Sequence, residues 1–169
     1  NPTPQALPYS QNFSSGFAHN TATYPAGWQG WDIANSFPSA FSTTSPVANF
    51  NLRITGSASS TIGGVHNYNG KIGFMAADTS EDPSLCLALN TTGSSGVTLT
   101  FSVMTIRNPY DGSSNTRINQ VDIQYRVGTS GAFTSITGAS GGIYENNTTT
   151  QIGSGVTTPQ NNQNVCLVL

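Results

Sequence analysis

Between Val97 and Val103 the side chains alternate without a break: Val97, Leu99, Phe101 and Val103 are apolar, while Thr98, Thr100 and Ser102 are polar. A period of two places the apolar set on one face of an extended chain and the polar set on the other, a pattern an α-helix scrambles. A strand with one dry face needs a second layer to cover it. Helices are poor candidates for that layer. A soluble helix presents a charged outer face, and only 7% of this chain is charged, five basic and seven acidic residues in 169. The Ser, Thr, Asn and Gly that replace the charges suit wet sheet faces and turns. The expectation is therefore all-β.

Other segments extend the pattern. Val121, Ile123, Tyr125 and Val127 alternate with Asp122, Gln124 and Arg126, which predicts a partner strand of similar length. Leu85, Leu87 and Leu89 fall on one face of a further strand, and Lys71 to Ala76, Phe133 to Thr137 and Val165 to Leu169 read as strands too. Tyr9 to Phe13 is a short strand by the same reading, and the Pro25-Ala26-Gly27 turn leads into another that carries Trp28, Trp31 and Ile33. Asp111-Gly112 marks a turn. Residues 35 to 69 are weakly patterned and 138 to 164 are turn-rich and polar. Pro2, Pro4 and Pro8 block regular pairing, so residues 1–6 read as a linker or N-terminal extension and 7–169 as the β domain. Strand-like segments between Gly, Asn, Pro and Ser clusters predict a two-sheet antiparallel β-sandwich, jelly-roll-like. Val165 to Leu169 stops in mid-strand, which leads us to expect that C-terminal strands are lacking.

Several classes are disfavoured. Leu, Ile, Val and Phe make up only about a fifth of the chain, near the disordered range, but small net charge and strict patterning argue for a packed fold. A net charge of -2 spread thinly offers no basic stripe for nucleic acid and no polybasic patch for lipid. No apolar run approaches the roughly 20 residues of a membrane span. The start at Asn1 without Met points to a removed signal peptide and hence to a secreted or cell-surface protein. Cys86 and Cys166 form no zinc pattern, and a disulfide and two buried free thiols are equally open.

The segment Met104-Thr-Ile-Arg-Asn-Pro-Tyr-Asp-Gly-Ser-Ser-Asn-Thr-Arg117, with Val121-Asp-Ile-Gln-Tyr-Arg-Val-Gly-Thr-Ser-Gly131, resembles a family of secreted β-sandwich domains of Bacteroidetes surface and exported proteins. Leu7-Pro-Tyr-Ser-Gln-Asn-Phe13 and the run from Tyr144 to Gln160 are similar as well. The resemblance covers most of the chain. It implies a domain attached to enzymes or adhesin-like regions, exported by the C-terminal-signal route. Members of that family continue with two more strands and an Asp-rich stretch absent from this sequence, so a calcium site there does not carry over.

Residues that bear chemistry are few. Gly138-Ala139-Ser140-Gly141-Gly142 matches the G-x-S-x-G elbow, but an elbow sits between a strand and a helix, and a polar loop is expected after Ile143. His19 and His66 have no motif tying them to a nucleophile and read as loop residues. Asp78, Glu81 and Asp82 cluster in a loop ending at Pro83; these oxygens could hold calcium with most of its ligands supplied from elsewhere, and a solvated turn is the competing reading. Arg107, Asn108, Tyr110 and Arg117, around Asp111 and Asn115, carry the forks, amides and aromatic face a sugar site uses, against a hairpin bonded to itself. Trp28 and Trp31 fall on opposite faces of a strand; one filling the core and the other displayed beside Tyr24 as a stacking platform is one reading, and burial of both is an equal one. The expected function is a non-catalytic extracellular module that attaches a secreted bacterial protein to a polysaccharide or cell-surface glycan. The alternative is a structural subunit of an extracellular fibre or lattice, self-associating through an exposed sheet edge by strand exchange.

Overall fold

A computed structural model describes residues 2–14, 21–33, 49–51, 64–68, 70–75, 82–105, 119–131, 133–136, 143–146 and 160–169. Among them every regular element is a strand. No helix long and apolar enough to cross a membrane occurs among the described residues. The chain divides into two compact units, Asn1–Arg53 with Ser60–Gly93, and Ile54–Ser59 with Ser94–Leu169.

The first unit holds β1 (Gln5–Ala6), β2 (Trp28–Ile33), β3 (Asn49–Asn51), β4 (Gly64–Tyr68), β5 (Lys71–Met75), β6 (Asp82–Leu87) and β7 (Leu89–Asn90). Strands β2 and β6 pair antiparallel from Trp28 opposite Leu87 to Ile33 opposite Asp82. In a three-stranded sheet β4 lies between β3 and β5. Its residues Gly64, Val65 and His66 are buried in succession, as a central strand covered on both faces requires. Val65 is 0% exposed and His66 3%. The β3–β4 pairing is parallel, as is β1–β7. A parallel pair needs a crossover of about a dozen residues, which the length of chain between Asn51 and Gly64 supplies. These two pairings depart from the wholly antiparallel arrangement expected.

Four local expectations are corrected in this unit. Tyr9 to Phe13 forms no strand; its side chains turn to the chain beside them, with the Phe13 N–H donating to Gln11 Oε1 at 2.8 Å and the Ser14 N–H to Asn12 Oδ1 at 3.0 Å. Gln5 and Ala6 do pair despite the flanking prolines, because proline forfeits only its own N–H and the Gln5 N–H still donates to Ala88 O at 3.0 Å. The leucine run is split at Ala88, whose N–H leaves the ladder for Gly27 O at 2.9 Å. Asp82 and Pro83 are the first residues of β6 and not the end of a loop, since Pro83 stands opposite Asp32 near the strand's start, where a missing donor is tolerated.

Gly27 explains why the chain turns into β2 where it does. Its φ of +83° closes the turn that the Trp28 N–H makes to Pro25 O at 2.9 Å. A Cβ there would stand 2.5 Å from Gln5 Cγ, so glycine also lets β1 approach.

The second unit holds β8 (Thr98–Thr105), β9 (Asn119–Asp122), β10 (Gln124–Tyr125), β11 (Thr134–Ser135), β12 (Ile143–Asn146) and β13 (Gln160–Val168). The alternating run at 97–103 is the strand expected of it. Its partner is β13, antiparallel, with Leu99 opposite Leu167 and Phe101 opposite Val165, so the dry faces of the two strands coincide. Leu167 is 1% exposed and Val165 3%. On the wet face the Ser102 hydroxyl donates to Asn164 Oδ1 at 2.7 Å. The ladder shifts register between Gln160 and Gln163, and the Leu169 N–H extends it to Val97 O at 2.8 Å.

The run at 121–127 is not the partner of β8. It breaks at Ile123 into β9, which pairs with β12, and β10, which pairs with β11. The polar stretch from 138 to 164 therefore contains β12 and the first half of β13; Asn, Gln and Tyr serve as strand residues once a partner supplies the ladder.

Candidate functional site

The tryptophans were the first candidates, and β2 holds both in place. Trp28 is half-buried and engaged on two sides. Its indole Nε1–H donates to the Tyr9 hydroxyl at 2.9 Å, and the Tyr9 hydroxyl donates to Ala26 O at 2.7 Å. The Phe13 ring stands edge-on to it, with centroids 5.0 Å apart and planes at 72°. Phe13 achieves this with a φ of +56°, a left-handed conformation rare for a bulky side chain. Trp31 is also half-buried, its Nε1 shielded from solvent. Both indoles are half-buried, the alternative to a stacking platform beside Tyr24. Tyr24 itself lies over Gly30: a Cβ on that glycine would strike the Tyr24 hydroxyl and stand 2.7 Å from Val65 Cγ2. Burial pushes the Tyr24 hydroxyl from its ordinary value of 10.0 up to about 12.

The second unit presents an aromatic that the alternation pattern hid. Strands β10 and β11 form a hairpin in which Gln124 faces Ser135 and Tyr125 faces Thr134. Because the Ile136 N–H donates to Ile123 O at 2.9 Å, the Gln124–Ser135 pair takes the closer, non-hydrogen-bonded position. Its side chains meet on Asp122, whose Oδ2 accepts from the Ser135 hydroxyl at 2.6 Å and from the Gln124 amide at 3.0 Å. On the same face, one pair nearer the tip, the Arg126 guanidinium lies over the Phe133 ring at 4.6 Å. The Arg126 Nη1 donates to Gly131 O at 3.0 Å, and a φ of +90° at Gly131 aims that carbonyl. The hairpin is braced on this face by the shared Asp122 acceptor and the stacked Arg126 side chain.

Tyr125 and Thr134 occupy the opposite face, and both are exposed. Tyr125 is 47% exposed and Val127, at the start of the loop, 89%. Among the described residues no side-chain hydrogen bond or ring contact engages Tyr125 or Thr134. The sequence reading had put Tyr125 and Val127 on a dry face. The signal against it was Gly128-Thr129-Ser130-Gly131, a loop composition that turns the chain before the last two apolar residues can be covered.

Of the remaining candidates, Arg107, Asn108, Tyr110, Arg117, Asp78, Glu81, His19 and the stretch from Gly138 to Gly142 lie outside the described residues. Asp82 opens β6, and among the described residues no group of three or more His, Cys, Asp or Glu is brought together. His66, expected in a loop, is instead buried in the middle of β4, where Gly73 on β5 stands opposite. Ile143–Asn146, beginning three residues after the elbow-like Ser140, is strand β12 where an elbow requires a helix. Neither Cys86 nor Cys166 forms a disulfide; Cys86 is half-buried and Cys166 is exposed on the wet face of β13. Neither the disulfide nor a pair of buried thiols describes them.

No family model, curated protein or solved structure matches the chain.

Proposed function

We propose that the chain is a non-catalytic binding module of jelly-roll-like sandwich type, secreted or held at a bacterial cell surface, that attaches its parent protein to polysaccharide. The hairpin from Gln124 to Ser135 is its contact surface. One observation carries the reading: Tyr125 offers an exposed ring on a hairpin whose other face is braced by the Asp122 and Arg126 contacts. A hairpin already held by contacts on its other face orders little further when a sugar stacks on its exposed ring. Single exposed apolar residues are common on protein surfaces, and the bracing beneath this one is what sets it apart. The resemblance to secreted Bacteroidetes β-sandwich domains agrees with this role.

Affinity electrophoresis through gels containing soluble polysaccharides tests the proposal. Retardation in at least one polymer is expected, and migration unchanged in every polymer overturns it. The fibre-subunit reading draws on Val168, 73% exposed on β13, a strand that pairs with β8 alone among the described residues. Sedimentation separates the two, since a subunit joined by strand exchange gains mass with concentration and a binding module stays monomeric.

A further inference from the structure

Resting on the reading of the hairpin as the contact surface, we infer that its ligand is a neutral polysaccharide, met by the Tyr125 ring and the Thr134 hydroxyl. The argument is one of charge and of which groups are already committed. Between Asp122 and Ser135 the chain carries one carboxylate and one guanidinium, and both are used inside the hairpin. The Asp122 carboxylate accepts from Ser135 at 2.6 Å and from Gln124 at 3.0 Å. The Arg126 guanidinium is stacked on Phe133 at 4.6 Å and donates to Gly131 O at 3.0 Å. Each lies on the face of the ribbon opposite Tyr125, because Gln124 and Ser135 alternate with Tyr125 and Thr134.

Among the described residues the open face therefore presents an aromatic ring, a hydroxyl and no charge. An anionic polymer such as a uronate chain finds no uncommitted cation there among the described residues, and drawing Arg126 away would cost both its stack and its loop contact. A neutral sugar ring needs neither. Its apolar C–H face covers the Tyr125 ring, while the Thr134 hydroxyl, both donor and acceptor, meets its hydroxyl groups. The loop that follows, exposed at Val127, Gly128, Thr129, Ser130 and Gly131, adds no charge of its own.

The test compares hydroxyethyl cellulose and galactomannan with alginate and polygalacturonate in the same electrophoretic assay, at roughly 50 mM and roughly 500 mM salt, which changes the screening length several-fold. The expected result is retardation in a neutral polymer, unchanged by salt. Tyr125→Ala weakens that binding about tenfold, Tyr125→Phe retains it, and Thr134→Val reduces it a few-fold. Circular dichroism of the variants reports that the fold is kept, as substitution at exposed positions allows. Retardation in the anionic gels alone, abolished by salt, overturns the ligand class and leaves the binding module standing. Neutral binding undiminished in Tyr125→Ala overturns the hairpin as the site. Absence of retardation in all four polymers removes the module reading and this inference together.

Discussion

Gly30 is the position where one added carbon has the most to disturb. A Cβ there meets the Tyr24 hydroxyl first and then Val65 Cγ2 at 2.7 Å, and Val65, 0% exposed, has nowhere to go. Gly30→Ala is expected to lower stability by about 1–3 kcal/mol, the usual cost of overpacking, read from urea denaturation. In a Tyr24→Phe background the hydroxyl is gone, but the ring Cζ, 2.7 Å from that Cβ like Val65 Cγ2, remains, so most of the cost of Gly30→Ala is expected to persist. Tyr24 also sets a pH dependence. Its hydroxyl keeps the proton in the folded state up to about 12, whereas the unfolded chain releases it near 10.0. Between those values the unfolded state binds fewer protons, so stability falls as pH rises through the window and is fully present below it. The unfolding midpoint of the parent chain should drop across that alkaline range, and Tyr24→Phe should flatten the drop; an identical alkaline profile in the variant would count against Tyr24 as its source. None of this was legible beforehand. Tyr24 and Gly30 stand close in the sequence, but Val65 comes from β4, and only that strand turns the pair into a packed contact.

At the scale of elements, period two was the reliable guide wherever a strand found a partner with the same pattern. Strand β13 demonstrates it in two adjacent residues. Leu167 is 1% exposed and Val168 73%, so Leu167→Ala should cost about 2–5 kcal/mol and Val168→Ala under about 0.5 kcal/mol in thermal or urea unfolding. Equal costs at the two positions would mean that the dry face is not where the ladder puts it. The 121–127 run had an equally clean alternation and a different fate. It splits at Ile123, its first half pairs with β12 and its second folds back on Thr134 and Ser135, so Tyr125 and Val127 end outside. Alternation reports which side chains share a face of an extended chain; it carries no information on whether anything lies against that face. Extent was the other blind spot. The sequence signalled Val165 to Leu169 and missed Gln160 to Asn164, because those polar residues join the strand through backbone hydrogen bonds to β8 that no side-chain pattern announces.

For the molecule as a whole, the two cysteines provide the most direct experiment. Cys86 belongs to the first unit and Cys166 to the second, and neither forms a disulfide. Maleimide labelling should modify Cys166 quickly in the native protein and Cys86 slowly, with two thiols reactive once the chain is denatured; a denatured, unreduced chain with no reactive thiol would establish a disulfide instead. What the sequence by itself determined was the class of structure. Charge is too sparse to clothe helices, and the side chains alternate with the period of a strand, two facts that need no partner to be true. The strand at 97–103 and its dry face follow from them directly. Tertiary structure decided who pairs with whom: β8 with β13, β9 with β12, and β1 and β3 in parallel with strands distant in sequence. It also decided that Trp28 closes on Tyr9 and Phe13 while Tyr125 stays open. The reason is common to both outcomes. Pairing and burial are satisfied between groups far apart along the chain, and a local pattern fixes only the face a side chain is on.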